Sequence, residues 1–174
     1  MRSLGKWLWL VWAVWPGAAA LAADDVAMEQ SVRAAMVFNF LKFTEWPAAV
    51  GERGGNLRLC VLSSDPQQVQ AMEKMTGQQV RGMSLVVTKV DARASGCHVL
   101  YVDSRQRWIE ALENGTIERA LTISAYSGFV HDGGMLEFAF QEGGLRFDVN
   151  IAEVRRVGLR LYPQLLQLAR KVYE

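Results

Sequence analysis

Three short apolar runs constrain this chain more than any other feature: NLRLCVL (56–62), HVLYV (98–102) and ALTIS (120–124). Each is bounded by turn-forming residues and reads as a buried strand. Helical segments lie between them. Asp65-Pro66 looks like an N-cap followed by proline at the first helical position, opening PQQVQAMEKM, with Val69, Met72 and Met75 as its buried stripe and Gly77 as its stop. Ser104 stands where it can cap RQRWIEALEN, whose Trp108, Ile109 and Leu112 are expected to face inward and which ends at Asn114-Gly115. Strands alternating with helices predict a single α/β domain with a mainly parallel sheet flanked by helices.

The connecting segments refine that frame. QVRGMSLVVTKV (79–90) reads as one bent strand with Gly82 at the bend. MLEFAF and LRFDV flank QEGG, a C-terminal hairpin that adds antiparallel strands at one edge. NIAEVRRVGLRL and PQLLQLARKVYE read as two helices interrupted at Tyr162-Pro163, with Asn150 as the cap of the first.

Residues 28–43 read as a helix that is unusual for water. Met28, Val32, Ala35, Met36, Phe40 and Phe43 fall near one side, with Glu29 and Arg33 opposite. Val37, Phe38 and Leu41 fill the remaining faces of the second half. A helix apolar all round is buried on more than one side, and Pro47 ends it. The expectation is that the sheet covers one side and a second protein surface, a homodimer first or a receptor second, covers the other.

The N-terminus carries an address. Arg2 and Lys6 form a basic head, an apolar stretch runs from Trp7 to Trp15, and Ala20-Leu21-Ala22 supplies a small-x-small site. This pattern predicts a signal peptide over 1–22, cut after Ala22 or Ala23, and a mature domain over 23–174. The apolar stretch is too short to span a bilayer core of about 30 Å. In an exported chain the two cysteines, Cys60 and Cys97, read first as a disulfide, while with His98 and His131 they could also make a zinc site of unusual spacing.

Catalytic signatures are missing. There is no phosphate-cradling glycine loop, no nucleophile elbow and no ordered serine–histidine–acid set. His131-Asp132-Gly133-Gly134 reads as a tight turn, and Ser127 as turn chemistry. The formal net charge of +1 comes without a basic run, which argues against nucleic acid as the main partner. The positive signal is aromatic and basic: Phe40, Phe43 and Trp46 near the start of the fold, and Arg155, Arg156 and Arg160 near its end, are candidate partner- or ligand-binding residues if the terminal segments pack together.

Taken in order, AAMVFNFLKFTEWP, LRLCVL, GMSLVV, GCHVLYV, LTIS, GFVHDGGMLEF, LRFDVN and RRVGLRLYPQLLQLAR resemble the YfiR family over essentially the whole mature chain. The resemblance implies a periplasmic α/β protein without catalysis or cofactor. Such a protein holds down an inner-membrane diguanylate cyclase of the YfiN type, with release through an outer-membrane lipoprotein of the YfiB type. It also implies a Cys60–Cys97 disulfide, and no second cysteine pair is present to form another.

Overall fold

The computed structural model describes residues 17–47, 50, 55–93, 95–115, 117, 119–141 and 144–174, with side chains from residue 27 onward. Residues 1–16, which carry most of the expected signal peptide, lie outside the described residues.

An eight-stranded sheet organises the molecule. Its strands are β2 (Asn56–Leu62), β3 (Gln79–Val80), β4 (Met83–Lys89), β5 (Val99–Val102), β6 (Leu121–Ser124), β7 (Leu136–Gln141), β8 (Gly144–Asn150) and β10 (Lys171–Tyr173), in the spatial order β10-β8-β7-β6-β5-β2-β4-β3. The strands β4-β2-β5-β6-β7 are mutually parallel. The first of these in sequence, β2, lies between the second and the third, so the winding reverses between β2 and β5. This is the arrangement of a doubly wound α/β sheet.

Side-chain alternation along β2 explains why both faces are covered. Leu57, Leu59 and Val61 join the larger core with Val37, Phe40 and Leu41 of α1 (Gly17–Lys42) and Val69 and Met72 of α2 (Pro66–Glu73). Cys60 and Leu62 point the other way, into a smaller core with Trp108 and Ala111 of α3 (Arg105–Glu113). Period-two side chains on a sheet buried on both sides give the near-continuous apolar runs seen in the sequence. Asp65 caps α2 by accepting from the Gln67 amide at 2.9 Å, and Asn150 caps α4 (Ile151–Arg156) by accepting from the Glu153 amide at 3.1 Å.

Several expectations are corrected. The 79–90 segment is two antiparallel strands, with Val80 opposite Met83 and both Arg81 and Gly82 at positive φ. That is a two-residue hairpin turn, which twists with the sheet as a simple bend does not. On α3, Trp108 and Ala111 face inward, while Ile109 and Leu112 are 44% and 46% exposed. The helix is short, and only one narrow stripe of it meets the sheet. Ser104 occupies the cap position, but its hydroxyl makes no capping bond. The C-terminal region is two short helices each followed by a strand: α4, β9 (Arg160–Leu161), α5 (Pro163–Leu168) and β10. Because β10 pairs with β8 in parallel, the late hairpin is inside the sheet rather than at its edge.

The aromatic helix is corrected too. It runs from Gly17 to Lys42, across the expected cleavage point, and is followed by a short strand, β1 (Thr44–Glu45), rather than continuing to Pro47. The chain's own sheet encloses its aromatic end. Phe40 is 1% exposed, stacked on Phe138 with centroids 5.6 Å apart and edge-on to Phe147 at 4.9 Å. The large apolar side chains that α1 leaves in solvent are Met28 and Val32 instead.

Candidate functional site

The end of α1 sets the geometry of the site. A helix leaves its last carbonyls without partners. Here the Thr44 hydroxyl donates to the Phe40 carbonyl at 2.7 Å, the Phe43 amide to Asn39 at 3.0 Å, and the Trp46 indole N–H to Leu41 at 3.3 Å. The chain then turns out as β1, which pairs antiparallel with β9, Thr44 opposite Leu161 and Glu45 opposite Arg160. The Tyr162 amide donates to the Phe43 carbonyl at 2.9 Å. The two terminal segments, distant in sequence, are thereby joined.

Their junction opens a groove of about 820 Å3 lined by Trp46, Pro47, Val50, Arg119, Arg156 and Leu159 on its walls, with Gly96, Cys97 and His98 at its floor. A smaller depression of about 560 Å3 adjoins it, carries Arg155 and Arg160, and shares Gly158 and Leu159 with it. The floor residues precede β5 and Arg119 precedes β6, so the groove lies at the amino ends of the parallel strands. Among the six residues singled out from the sequence, Trp46 and Arg156 meet in the groove and Arg155 and Arg160 in its extension. Phe43 is half-buried behind them against the larger core, and Phe40 is withdrawn into that core.

The floor is rigid for covalent and local reasons. Cys60 and Cys97 form a disulfide with Cα atoms 5.8 Å apart, so neither thiolate is available to a metal. His98 is bolted to β2: its Nδ1 accepts from the Arg58 amide at 2.9 Å, and its own amide donates to the Arg58 carbonyl at 3.0 Å. Burial, helped by the Arg58 charge, pushes its imidazole below the usual histidine range, so it is neutral at pH 7.

The opposite, carboxyl ends of β2 and β5 form the crevice where open α/β sheets ordinarily bind ligands. Here the protein's own side chains occupy it. Gln30 of α1 donates to Asp65 at 2.7 Å, and Asp103 accepts from the Ser64 amide at 2.7 Å and the Ser63 hydroxyl at 2.9 Å. Burial alone would raise the Asp103 carboxyl, but the bonds from Ser64, Ser63 and Ser104 overcome it and hold it below the carboxylate range. Nearby, Asp132 is gripped by Arg105 at 2.8 and 3.2 Å and accepts from the Tyr126 hydroxyl at 3.2 Å. Its carboxylate is fully engaged, and His131 makes an edge contact with Tyr173 instead of facing it. Gly134 is required because a Cβ there would come within 2.3 Å of the Phe129 ring.

Sequence reading missed Arg119 and the floor of the groove. No local signal marks Arg119, since nothing in its neighbourhood announces that a non-glycine residue adopts φ of 59° and projects beside Trp46.

The profile of the YfiR/HmsC-like family matches residues 30–170, from the middle of α1 to the residue before β10. The chain is a member of the YfiR/HmsC-like family. Among solved structures, this YfiR/HmsC-like chain is similar to a conserved domain protein from Vibrio cholerae O1 biovar El Tor, with TM-score 0.51 and 11% identity, over 82% of this chain and 60% of that one. It is also similar to an ABC domain from Streptococcus pneumoniae in complex with L-Trp, with TM-score 0.50 and 10% identity, over 66% of this chain and 55% of that one. The chain thus spans little more than half of each of these proteins, and at such identity the likeness is one of fold alone.

Proposed function

We propose that this YfiR/HmsC-like protein acts in the periplasm as a regulatory binding protein. It restrains an inner-membrane diguanylate cyclase of the YfiN type and so lowers cyclic di-GMP output and biofilm formation. The observation that carries the reading, beyond family membership, is the groove that Trp46 and Arg156 form where the chain's two terminal segments meet. An indole beside guanidinium groups is the composition of a protein-binding hot spot. The carboxyl-end acids, by contrast, are already engaged by the protein's own donors. The basic head and small-x-small site of residues 1–22 support export, with cleavage after Ala22 or Ala23. No helix among the described residues is long and apolar enough to cross a membrane.

Restraint follows if the protein binds the inactive conformation of the cyclase's periplasmic part more tightly than the active one. A YfiB-type lipoprotein would relieve it by competing for the protein, and a homodimer would present two grooves to a dimeric receptor. The test is affinity capture from detergent-solubilised inner membranes, in oxidised and in reduced buffer, with cyclic di-GMP measured in a deletion strain. Recovery of a transmembrane protein with a GG-[DE]-[DE]-F motif, and a rise in cyclic di-GMP on deletion, are expected. No such protein recovered and no change in cyclic di-GMP would overturn the reading.

The size of the groove favours one alternative, a periplasmic small-ligand sensor without a cyclase partner, because about 820 Å3 falls within the range of small-molecule pockets. Saturable protection of the isolated protein against heat by a small molecule would select it.

A further inference from the structure

The amino-end groove and its extension hold arginines with few acids to answer them. Arg119 and Arg156 line the groove, Arg155 and Arg160 the extension, and all four are exposed. Arg58, also exposed, reaches under the floor, where its Nη1 lies 3.1 Å from the Cβ position of Gly96. Among the described residues, Glu153 pairs with Arg156 at 2.7 Å, and Glu45 sits opposite Arg160 in the β1–β9 ladder without an ion pair forming. Arg58, Arg119, Arg155 and Arg160 are in none of the salt bridges among those residues. The same groove is lined by the apolar residues Trp46, Pro47, Val50, Val157 and Leu159.

We infer that this groove receives an extended acidic segment of a partner protein, with an apolar side chain seated between Trp46 and Leu159 and carboxylates reaching Arg119, Arg156 and, in the extension, Arg155 and Arg160. The inference rests on the binding-protein reading and adds the chemistry of what is bound. Two depressions sharing Gly158 and Leu159 make an elongated trough, which suits a strand of peptide better than a single compact anion. Guanidinium groups match carboxylates in planar, two-pronged geometry. The exposed charges supply steering and selectivity, and the buried apolar anchor supplies most of the affinity. A nucleic-acid strand is disfavoured because the chain as a whole has a formal charge of only +1.

The test uses the protein purified from the periplasm and three fluorescein-labelled probes followed by anisotropy: a peptide of glutamates interrupted by one leucine, the same peptide with lysines, and oligothymidylate. The acidic peptide is expected to bind and to weaken about tenfold from low to physiological salt, as exposed charge pairs do. Arg119→Glu combined with Arg156→Glu should weaken it at least about tenfold, and Trp46→Ala by a similar factor, while Arg119→Lys with Arg156→Lys restores most of the binding. Arg105→Glu, at the other end of the sheet, should change nothing. Equal binding of the lysine peptide, tighter binding of oligothymidylate, or unchanged binding by the glutamate variants would overturn the inference. Capture of a cyclase through unaltered glutamate variants leaves the regulatory function standing and removes only the acidic partner. Binding of the peptide without any cyclase in the capture does the reverse.

Discussion

The two ends of the parallel strands both gather charged side chains and put them to opposite use. At the carboxyl ends, Asp65, Asp103 and Asp132 are each met by donors of the same chain, and α1 reaches the crevice through Gln30. At the amino ends, Arg119 lines the groove with Trp46, Arg155 and Arg160 line its extension, all three are exposed, and none of them is in an ion pair among the described residues. The doubly wound fold by itself points to the carboxyl ends. In this protein the side chains point the other way, because carboxylates already bonded to the chain's own donors have little left to offer a ligand. Fold sets where a site is easiest to make, and the side chains decide whether it is made there.

The largest expected effect tests whether the amino end depends on its covalent floor. Closing a loop over a separation of 37 residues, the Cys60–Cys97 bond restricts the unfolded chain by about 4 kcal/mol. Reduction, or Cys60→Ala with Cys97→Ala, should lower the unfolding free energy by about that amount, read as a fall in the denaturant midpoint. It should also loosen Gly96–His98, seen as faster amide exchange at the floor than at β7. Equal exchange in both forms would mean that the hydrogen bonds between Arg58 and His98 suffice to hold the floor.

A smaller effect probes the closed end. The Tyr101 hydroxyl is buried under α1, and burial raises its pKa to about 12, with the nearby Arg33 guanidinium opposing the rise. Its proton is therefore held more tightly in the folded state than in the unfolded chain, whose tyrosine titrates near 10. The corresponding stability is fully present below pH 10 and lost as pH climbs toward 12, a change of roughly 2–3 kcal/mol. Urea melts between pH 9 and 12 should show the decline in the native protein and a flatter curve in Tyr101→Phe. An identical slope in both would show that water reaches the hydroxyl.

Much of the framework was legible in the sequence, as were Trp46, Arg155, Arg156 and Arg160 as candidates, but not the pairing that assembles the open end. Asp65-Pro66 announces a cap, Cys60 lies within a strand pattern, and the alternation of strands with helices gives the layers. These are local signals with a fixed period or a fixed neighbour. The groove is assembled instead by pairing Thr44–Glu45 with Arg160–Leu161, four residues too few to show any periodicity and separated by nearly the whole domain. Phe40 and Trp46 illustrate the limit. Both are aromatic and close in sequence, yet one is locked between Phe138 and Phe147 while the other lines a groove. What separates them is the strand that begins at Thr44, and only the tertiary partner of that strand explains it.

Gln68 sharpens the contrast at about 1 kcal/mol. It sits on the buried side of α2, 1% exposed, with neither its amide nitrogen nor its oxygen bonded among the described residues. An unpaired buried amide carries its desolvation cost with no return. Gln68→Met, which keeps the length and removes the polar atoms, is expected to raise stability by about 1 kcal/mol in a denaturant melt. A loss of similar size would show that the amide is held by ordered water, and that the crevice is wetter than its side chains indicate.

The smallest expected change is also the most discriminating between the two ends. The ion pair of Arg156 with Glu153 has its guanidinium 64% exposed, and such pairs contribute at most about 0.5 kcal/mol. Arg156→Ala should therefore melt within that margin of the native protein, and Arg105→Ala at the carboxyl end, with its side chain 68% exposed, should leave the melt essentially unchanged. The two variants part company only when a partner is added. Membrane capture should fall with Arg156→Ala and hold with Arg105→Ala, because the first removes a charge that lines the groove and can exchange its Glu153 partner for another carboxylate, and the second removes one that grips Asp132 through two bonds at the opposite end of the sheet. If capture instead falls with Arg105→Ala, the working surface lies at the carboxyl ends after all, and the closed crevice must open when the partner binds.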